Sequence, residues 1–399
     1  MALRMTETAL LGLILATLAG LTAGRLWAAA RLRAGRGEHV GERASRHLFR
    51  GLQLLTTGHS DLAVGAFLKV RRNHPDSVGV ALALGNLLRE SGQVERAIQV
   101  HQAVLDRADL TRREHVDALE CLGMDSLKAG FIDRATQAFR EVIETDARNL
   151  SAWTGLAKIQ EDERRWLDAY HSRARLARLR KTDASTVLAH LQAEIGYEAW
   201  RAGDQEAAER ALRHALRLSR RVVPAYLGLA DLRAPGDPRA AIAVLEELVA
   251  TLPERAYHAF ERLARLYTTV AETHRFTTLC ERLIQQDPND WRARLALARA
   301  LRSEGRAREA IGLLTRALEV HPHALAVHLE MLRALHDLGL GGPPLTQYLA
   351  LAESTLIYAD PHVCSVCHYR AGEILWRCPH CHEWGTMVEE RVAPTDARR

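Results

Sequence analysis

The sequence predicts an all-α protein made of paired helices, with a hydrophobic segment at its N-terminus and a small metal-binding module at its C-terminus. The 399 residues are 47% hydrophobic but only 5% aromatic, and the dominant residues, Ala, Leu, Arg and Glu, favour helices over sheets. An internal period of about 34 residues indicates repeated helical units. Two Cys-x-x-Cys pairs indicate a metal site. The net charge of +5 is modest for this length and does not indicate a nucleic-acid-binding protein.

The N-terminal segment predicts a membrane anchor. Thr8 to Gly24 carries no charged residue, and its length is near the lower limit for a helix that crosses a bilayer. Arg25 can extend to the headgroups, and Trp27 suits the membrane interface. Because basic residues are more frequent after this segment than before it, the positive-inside rule places the N-terminus outside and the bulk of the chain on the cytoplasmic side. We therefore expect residues 1–34 to form a single-pass anchor with a basic juxtamembrane segment.

A cleaved signal peptide is the alternative interpretation of the same segment, with cleavage at Ala28-Ala29-Ala30. Arg25 interrupts the approach to that site, and the residues before the hydrophobic run are only weakly basic. Export would also place the clustered cysteines in an oxidising compartment, where disulfides form. Both ends of the chain therefore favour an anchored protein whose bulk faces a reducing cytoplasm.

The helical repeat is visible in the spacing of small residues and prolines. Ala63 precedes Pro75 by twelve positions, and Ala241 and Ala310 precede prolines by the same interval. A Leu-Gly, Leu-Ala or Ile-Gly pair recurs in successive units, at residues 84–85, 122–123, 156–157, 195–196, 229–230, 263–264 and 297–298. This pattern resembles the tetratricopeptide repeat, a helix–turn–helix unit that must stack on its neighbours to bury its apolar face. We expect about eight repeats over residues 44–338, ending in a degenerate helix and stacked as a superhelix.

Each small residue has a predicted role where two helices cross. The Leu-Gly pairs let the first helix of a unit approach the second, and larger residues one turn beyond the aligned alanines fill the remaining gaps. These gap-filling residues are Phe67, Phe139, Leu212 and Leu314. The prolines are expected to end the second helices. Insertions near residues 111–113 and 181–183 are expected to lie in turns between repeats.

Four cysteines near the C-terminus are the strongest chemical signal in the chain. Cys364 and Cys367 form one Cys-x-x-Cys pair, and Cys378 and Cys381 form a second pair after ten intervening residues. Two such loops facing each other supply a tetrahedral thiolate site for one zinc ion, or for iron as in rubredoxins. A module of about thirty residues is too small for a self-sufficient core, so metal binding would supply much of its folding free energy.

The module is expected over residues 360–390, after a connecting helix at 345–358 and before a disordered tail at 391–399. Since no flexible linker separates the connecting helix from the first cysteine, we expect the module to dock on the last repeats rather than move freely. Four histidines close to the cysteines are expected in loops or at an interface, because the four-cysteine set is complete without them. They are His362, His368, His380 and His382.

The remaining reactive side chains favour structural roles. Cys121 and Cys280 fall within repeat helices and are expected to be buried. The basic stretch from Arg173 to Lys181 predicts a solvated helix face or, alternatively, contact with anionic lipid headgroups. The sequence contains no phosphate-binding glycine loop, Gly-x-Ser-x-Gly elbow or convincing paired-carboxylate arrangement. We therefore expect a protein-binding scaffold without catalytic residues, not an enzyme.

The combination of anchor, repeats and four-cysteine module resembles the lipopolysaccharide assembly protein B family of Gram-negative bacteria, over essentially the whole chain. The closest local match runs from Cys364 to Thr386. It includes an aromatic residue after the first cysteine pair, Trp376 just before the second pair and Trp384 after it. His368 stands where the family usually has Gly. The resemblance implies a rubredoxin-like fold for the module.

The same resemblance implies a regulatory role at the inner membrane. Members of the family are adaptors that restrain lipopolysaccharide synthesis. They work with a membrane-bound AAA+ protease and promote degradation of the deacetylase that commits precursors to lipid A. A lipopolysaccharide-sensing inner-membrane protein antagonises them. The expected partners are therefore these three proteins and the membrane, with no nucleic acid.

Two other functions stay open at this point. Iron in the four-cysteine site would suit a rubredoxin-type electron carrier, whereas a structural site tolerates redox-silent zinc. A general scaffold for envelope assembly would also combine an anchor with repeats. A homo-oligomer is compatible with each of these functions.

Overall fold

The computed structural model of the chain describes residues 60–322, 324–340 and 362–389, together with residues 49, 53, 54, 342 and 343. The predicted anchor (1–34), connecting helix (345–358) and tail (391–399) lie outside the described residues. Within the described part of the chain, no helix is long and apolar enough to cross a membrane. The described residues form sixteen α-helices followed by a small antiparallel sheet.

Fourteen of the helices form seven successive pairs, preceded by one helix and followed by another. In chain order they are α1 (Ser60–Asn73), α2 (Val78–Glu90), α3 (Val94–Leu105), α4 (Arg112–Ala129), α5 (Ile132–Thr145), α6 (Leu150–Asp162), α7 (Trp166–Arg180), α8 (Ser185–Arg201), α9 (Gln205–Leu218), α10 (Val223–Arg233), α11 (Pro238–Thr251), α12 (Tyr257–Thr269), α13 (Thr273–Gln286), α14 (Trp291–Ser303), α15 (Ala307–Val320) and α16 (Leu325–Asp337). A single 3₁₀ turn, Pro253–Arg255, lies between α11 and α12.

The chain divides into two compact units, residues 1–155 and 156–399. In the first unit, apolar side chains of α1, α2 and α3 form one buried cluster, and a second cluster joins α2, α3 and α4. In the second unit, one buried cluster extends from α8 to α16. Within each unit, these helices thus bury their apolar faces against their neighbours, as tetratricopeptide repeats must.

The predicted roles of the small and large repeat residues are confirmed. A Cβ added to Gly123 would lie 2.7 Å from the Phe139 ring, and one added to Gly196 would lie 2.8 Å from Leu212. The four gap-filling residues are at most 2% exposed, and seven of the eight residues aligned with Ala63 are alanines with no exposed surface. Close approach of the backbones at glycine and alanine leaves spaces that these larger side chains occupy.

The prolines follow the helix ends as predicted. The second helices α11 and α15 end at Thr251 and Val320, two residues before Pro253 and Pro322. α1 ends at the same distance from Pro75. A proline just beyond the last turn cannot continue the helix, so the chain turns into the next unit.

The two insertions lengthen helices, so the expectation that they lie in turns is wrong. α4 begins eleven residues before Gly123, whereas α2 begins seven residues before the equivalent Gly85. α8 likewise begins eleven residues before Gly196. At the start of α4, Thr111 and Glu114 form a capping box that satisfies two N–H groups of the added turn. When extra residues extend a capped helix, their backbone N–H and C=O groups bond to each other, whereas in a turn many of these groups would bond to solvent.

The C-terminal module contains three short strands. β1 (His362–Cys364) lies between β2 (Arg370–Ala371) and β3 (Met387–Glu389) in an antiparallel sheet of order β2-β1-β3. Val363 pairs with Arg370 on one side and with Val388 on the other. The sheet brings the first cysteine, at the end of β1, opposite Met387 at the start of β3. A small sheet carrying the two cysteine loops is the rubredoxin-like arrangement that the sequence predicts.

Candidate metal centre

The four predicted cysteines meet at one point of the C-terminal module. Their sulfur atoms all lie within 4.8 Å of one another. The Sγ atoms of Cys364 and Cys381 are 3.6 Å apart, as are those of Cys367 and Cys378. A tetrahedron with zinc–sulfur bonds of about 2.3 Å has sulfur–sulfur edges of about 3.8 Å, so the geometry fits one metal ion. Among the described residues, no other group of His, Cys, Asp or Glu meets the same distance criterion.

The two cysteine loops have the same backbone conformation. In the first loop, the Cys364 N–H donates to the Tyr369 carbonyl and the His368 N–H donates to the Cys364 carbonyl. The second loop repeats both bonds between Cys378, His382 and the residue after it. His368 and His382 have φ values of 60° and 62°, the left-handed region that favours glycine. Both histidines thus occupy a backbone position that usually favours glycine, and neither joins the cysteine cluster.

The thiols oppose one another's ionisation. Burial raises the pKa of Cys364, but hydrogen bonds from the Thr386 hydroxyl and from the N–H groups of Cys367 and Val366 outweigh this and lower it to about 6. At Cys381 the Glu383 N–H lowers the pKa, whereas burial and the neighbouring thiols together raise it to about 12. One thiolate is therefore favoured and a second is disfavoured. A divalent cation removes that conflict, because each thiolate then neutralises metal charge instead of repelling another thiolate.

An arginine fastens the module to the repeats within the second unit. Arg377 directly precedes Cys378, and its Nη1 donates to the Asp162 carboxylate at 2.9 Å. Its Nη2 lies 3.1 Å from a carboxylate oxygen of Glu161, whose side chain is fully buried. Glu161 is also paired with Arg173. A carboxylate at the end of α6 thus joins two arginines, one from α7 and one from the module.

Trp384 provides the apolar part of this attachment. Its ring stacks on His190 at 5.3 Å and meets the edge of Trp166 at 6.1 Å. Burial lowers the pKa of His190 to about 4, so the ring is neutral near pH 7. The following residue, Gly385, has a φ of 67°, and a Cβ there would lie 3.2 Å from the same histidine. Glycine therefore satisfies both the backbone conformation and the close approach.

A second aromatic contact lies further along the repeats. Trp376 packs against the large buried cluster of the second unit and meets His258 of α12 at 5.5 Å. Burial, together with nearby arginines and His362, lowers the pKa of His258 to about 3. Arg255 reaches the Met387 carbonyl at 3.5 Å. The module is thus held by neutral aromatic rings and by an ion-paired arginine.

The position of the module differs from the sequence-based expectation. Docking itself is observed, but the contacts found among the described residues are with α6, α7, α8 and α12, in the middle of the repeat series, and not with the last repeats. The sequence showed the two tryptophans of the module as part of a family signature. It gave no signal for Glu161 or His190, because a buried charge or imidazole in a repeat helix has no distinctive spacing.

The two remaining cysteines differ from each other. Cys280 is fully buried, as predicted, and burial raises the pKa of its thiol. Cys121 is only half-buried and lines a groove between α2 and α4, so the expectation of burial is wrong there. It lies one helical turn before Asp125 in α4 and is not among the buried residues of that helix.

A buried charge pair replaces an apolar filler in the first unit. His101 occupies the position that Phe139 fills in the next repeat, and its Nδ1 lies 2.5 Å from the Asp125 carboxylate. Asp125 also accepts a hydrogen bond from Arg89 at 2.9 Å. Burial lowers the pKa of His101, but hydrogen bonds with Asp125 and the Cys121 thiol outweigh it and raise the pKa to about 9. His101 is therefore a buried imidazolium near pH 7.

Comparison with known proteins agrees with this architecture. A family model described as a rubredoxin metal binding domain matches residues 362–389. A tetratricopeptide repeat model matches residues 50–110, 278–324 and 295–340. Lipopolysaccharide assembly protein B of Escherichia coli strain K12 is 26% identical over 349 residues, covering 86% of this chain and 89% of that protein. The chain is thus similar to lipopolysaccharide assembly protein B over most of its length.

A second relative and a solved structure extend the comparison. Lipopolysaccharide assembly protein B of Haemophilus influenzae is 25% identical over 363 residues, covering 88% of this chain and 91% of that protein. The C-terminal part of a tetratricopeptide-repeat protein from Cytophaga hutchinsonii aligns with 63% of this chain and 99% of its own, at 16% identity and a TM-score of 0.42. The two relatives confirm the resemblance drawn from the sequence. The metal-binding module described by the family model is the one that docks on α6 to α8.

Proposed function

We propose that this protein is a membrane-anchored adaptor that limits lipopolysaccharide synthesis by presenting the lipid A-committing deacetylase to a membrane-bound AAA+ protease. One observation carries the proposal: relatives named lipopolysaccharide assembly protein B align with 86% of the chain. The name supports a role related to lipopolysaccharide assembly. The protease, the deacetylase and an antagonistic lipopolysaccharide-sensing membrane protein follow from the family resemblance. Tetratricopeptide repeats bind proteins, which supports an adaptor and not an enzyme.

The metal is proposed to be one zinc ion held by Cys364, Cys367, Cys378 and Cys381. It would fix the two cysteine loops and so hold Arg377 and Trp384, which flank the second pair, in the conformation that docks on the repeats. Cys367 and Cys381 are half-exposed, and this access favours the rival electron carrier with iron. Elemental analysis of purified protein distinguishes the two. About one zinc per chain supports the structural site, whereas stoichiometric iron with a reversible visible band supports the carrier.

The membrane location is proposed from residues 1–34 as a single inner-membrane span with the N-terminus in the periplasm. Sharing a membrane with protease and substrate raises their effective concentration around the repeats. Deleting residues 1–30 should leave a folded, helical protein that has lost most of its regulatory activity. An unrelated span of the same orientation should restore part of it. Full activity of the deletion variant at native abundance would contradict the tethering argument.

The regulatory role is tested by a chase of deacetylase levels after translation is blocked, in cells with and without this protein. Loss of the protein should lengthen the deacetylase lifetime and raise lipopolysaccharide content, and overproduction should have the opposite effects. Identical decay in both strains would refute the regulatory proposal and leave a general envelope-assembly scaffold. A protease-deficient strain is the control, because there the protein should no longer alter the decay.

A further inference from the structure

A cleft separates the metal module from the helices on which it docks. It has a volume of about 490 Å³, and its walls come from α6, α7 and α8 on one side and from residues 374–384 on the other. This volume lies within the range of small-molecule sites, roughly 300–1,000 Å³. Trp376 and Trp384 supply aromatic surface on the module side, while Arg164, Arg201 and Glu194 supply charge on the repeat side. Two further carboxylates of the lining, Glu161 and Asp162, are paired with Arg173 and Arg377.

Arg164 is an unusual residue type for its place in the repeat. It lies in the turn between the paired helices α6 and α7 with a φ of 58°. In four other repeats the equivalent residue is a glycine, at positions 92, 130, 203 and 305, with φ values of 78°, 82°, 86° and 80°, and in a fifth it is Ala271, with a φ of 58°. All these turns make the same backbone hydrogen bonds. In each, the N–H of the left-handed residue donates to the carbonyl three residues earlier. A non-glycine residue in this region costs about 1 kcal/mol, so the turn itself does not favour arginine.

The side chain of Arg164 is available for a ligand. Within the residues that the structure describes, neither Arg164 nor Arg201 has a carboxylate within ion-pair distance, and Arg201 makes only a bond from its Nε to the Tyr197 carbonyl. Both guanidinium groups act on the same carboxyl, Glu194. Burial raises the pKa of Glu194, and the charges of Arg201 and Arg164 oppose that rise. With Glu161 and Asp162 already paired, the two guanidinium groups face a single unpaired carboxyl, Glu194, and one positive charge of the lining is left without a counter-charge.

The opposite wall adds hydrogen-bond donors. Trp384 is 9% exposed, and its indole Nε1 has no hydrogen-bond partner among the described residues. The Nε of Arg377 is likewise without a partner in the described part of the chain. Buried N–H groups are seldom left unpaired, because each loses its hydration without a replacement. An acceptor bound between the two walls would supply the missing partner.

We propose that this cleft binds a small molecule through an oxyanion group, a phosphate or a carboxylate. Arg164 and Arg201 hold the oxyanion, since guanidinium groups bind such groups through paired hydrogen bonds. The indole N–H of Trp384 donates to the same ligand, and the body of the ligand packs against Trp376. The docked module thus completes a site whose charged half belongs to the repeats.

Binding is tested on the full chain with its metal, using inorganic phosphate and acetate as separate probes in isothermal titration and in chemical-shift measurements. The expected result is saturable binding of one probe per chain at concentrations up to about 10 mM, the range of weak single-group contacts. Tighter binding of phosphate identifies a phosphoryl ligand, and tighter binding of acetate identifies a carboxylate. No saturable binding of either probe would overturn the proposal.

A matched pair of variants assigns the site. Arg164→Gly and Ala271→Gly change the same left-handed turn position in two different repeats, since Ala271 also has a φ of 58°. Neither should lower the thermal midpoint, because glycine accepts this conformation. Only Arg164→Gly should weaken probe binding, by about tenfold or more, and Arg201→Gln should act in the same direction. Equal affinity in all variants, or a loss of stability confined to Arg164→Gly, would assign Arg164 a structural role and overturn the proposal.

Discussion

Replacing Arg377 with methionine tests whether its ion pairs fasten the module to the repeats. The Arg377 side chain is 15% exposed, and its guanidinium lies 3.1 Å from Glu161 and 2.9 Å from Asp162. Removing one partner of a buried ion pair costs about 3–5 kcal/mol when the other charge is left alone. Here Glu161 keeps Arg173, and Asp162 is 40% exposed and can be solvated. We therefore expect a loss of about 2–3 kcal/mol in docking free energy.

Hydrogen exchange measured by mass spectrometry reports this loss locally. The amides of residues 362–389 should exchange roughly 30- to 150-fold faster in Arg377→Met, because each 1.4 kcal/mol is a factor of ten. Amides of α14 and α15, which do not contact the module through this pair, should be unaffected. Metal content must stay at one ion per chain, so that the effect is one of docking and not of metal loss.

Arg210→Met is the matched control, because Arg210 pairs with Glu206 on an exposed helix face. Such surface pairs contribute about 0.3–0.5 kcal/mol. A double-mutant cycle of Arg377→Met with Asp162→Asn should give a coupling of about 1 kcal/mol, since the two groups are in direct contact. If Arg377→Met changed exchange no more than Arg210→Met, the ion pairs would not be what holds the module in place.

Three further perturbations have defined outcomes. His101→Leu should flatten the pH dependence of the unfolding free energy. In the wild type, the imidazolium paired with Asp125 stabilises the folded state by on the order of 3 kcal/mol at pH values below its unfolded pKa of about 6.5. That stabilisation is lost as the pH rises through the folded-state pKa of about 9. Urea unfolding at pH 6, 8 and 10 measures it, and parallel curves for both proteins would contradict the pairing. Gly123→Ala should destabilise by about 1–3 kcal/mol because its Cβ meets an aromatic ring at 2.7 Å, whereas Gly312→Ala meets nothing within 4 Å and should stabilise by up to about 1 kcal/mol. Equal midpoints for the two glycine variants in thermal unfolding would contradict the packing argument. Cys378→Ser should lose metal and the slow exchange of the module but leave the helical circular dichroism nearly unchanged; a cooperative loss of helix would show that the repeats depend on the metal.

The repeat architecture was determined by the sequence because its signals are local. Residues such as Ala63, Gly123 and Pro253 each reflect packing or chain reversal within their own helix pair. The same pattern recurs about every 34 residues, so each repeat supports the interpretation of the others. The cysteine cluster was equally predictable, because Cys364 and Cys367 must face one metal from one loop whatever surrounds them. The insertions were located correctly but assigned to turns, because whether four extra residues extend a helix depends on a cap such as Thr111.

Only the tertiary structure decided where the module docks and which charges meet there. Arg377 lies more than two hundred positions from Asp162 in the sequence, yet its Nη1 is 2.9 Å from that carboxylate. No spacing rule links such residues, because the path of the chain between them, repeat by repeat, sets their distance. The same holds for Arg164. In the sequence it cannot be told from any surface arginine, and only the structure shows its left-handed turn and the module that faces it. Sequence period fixes how each repeat packs on the next, whereas contacts between distant repeats and the module depend on the accumulated rotation of the whole series.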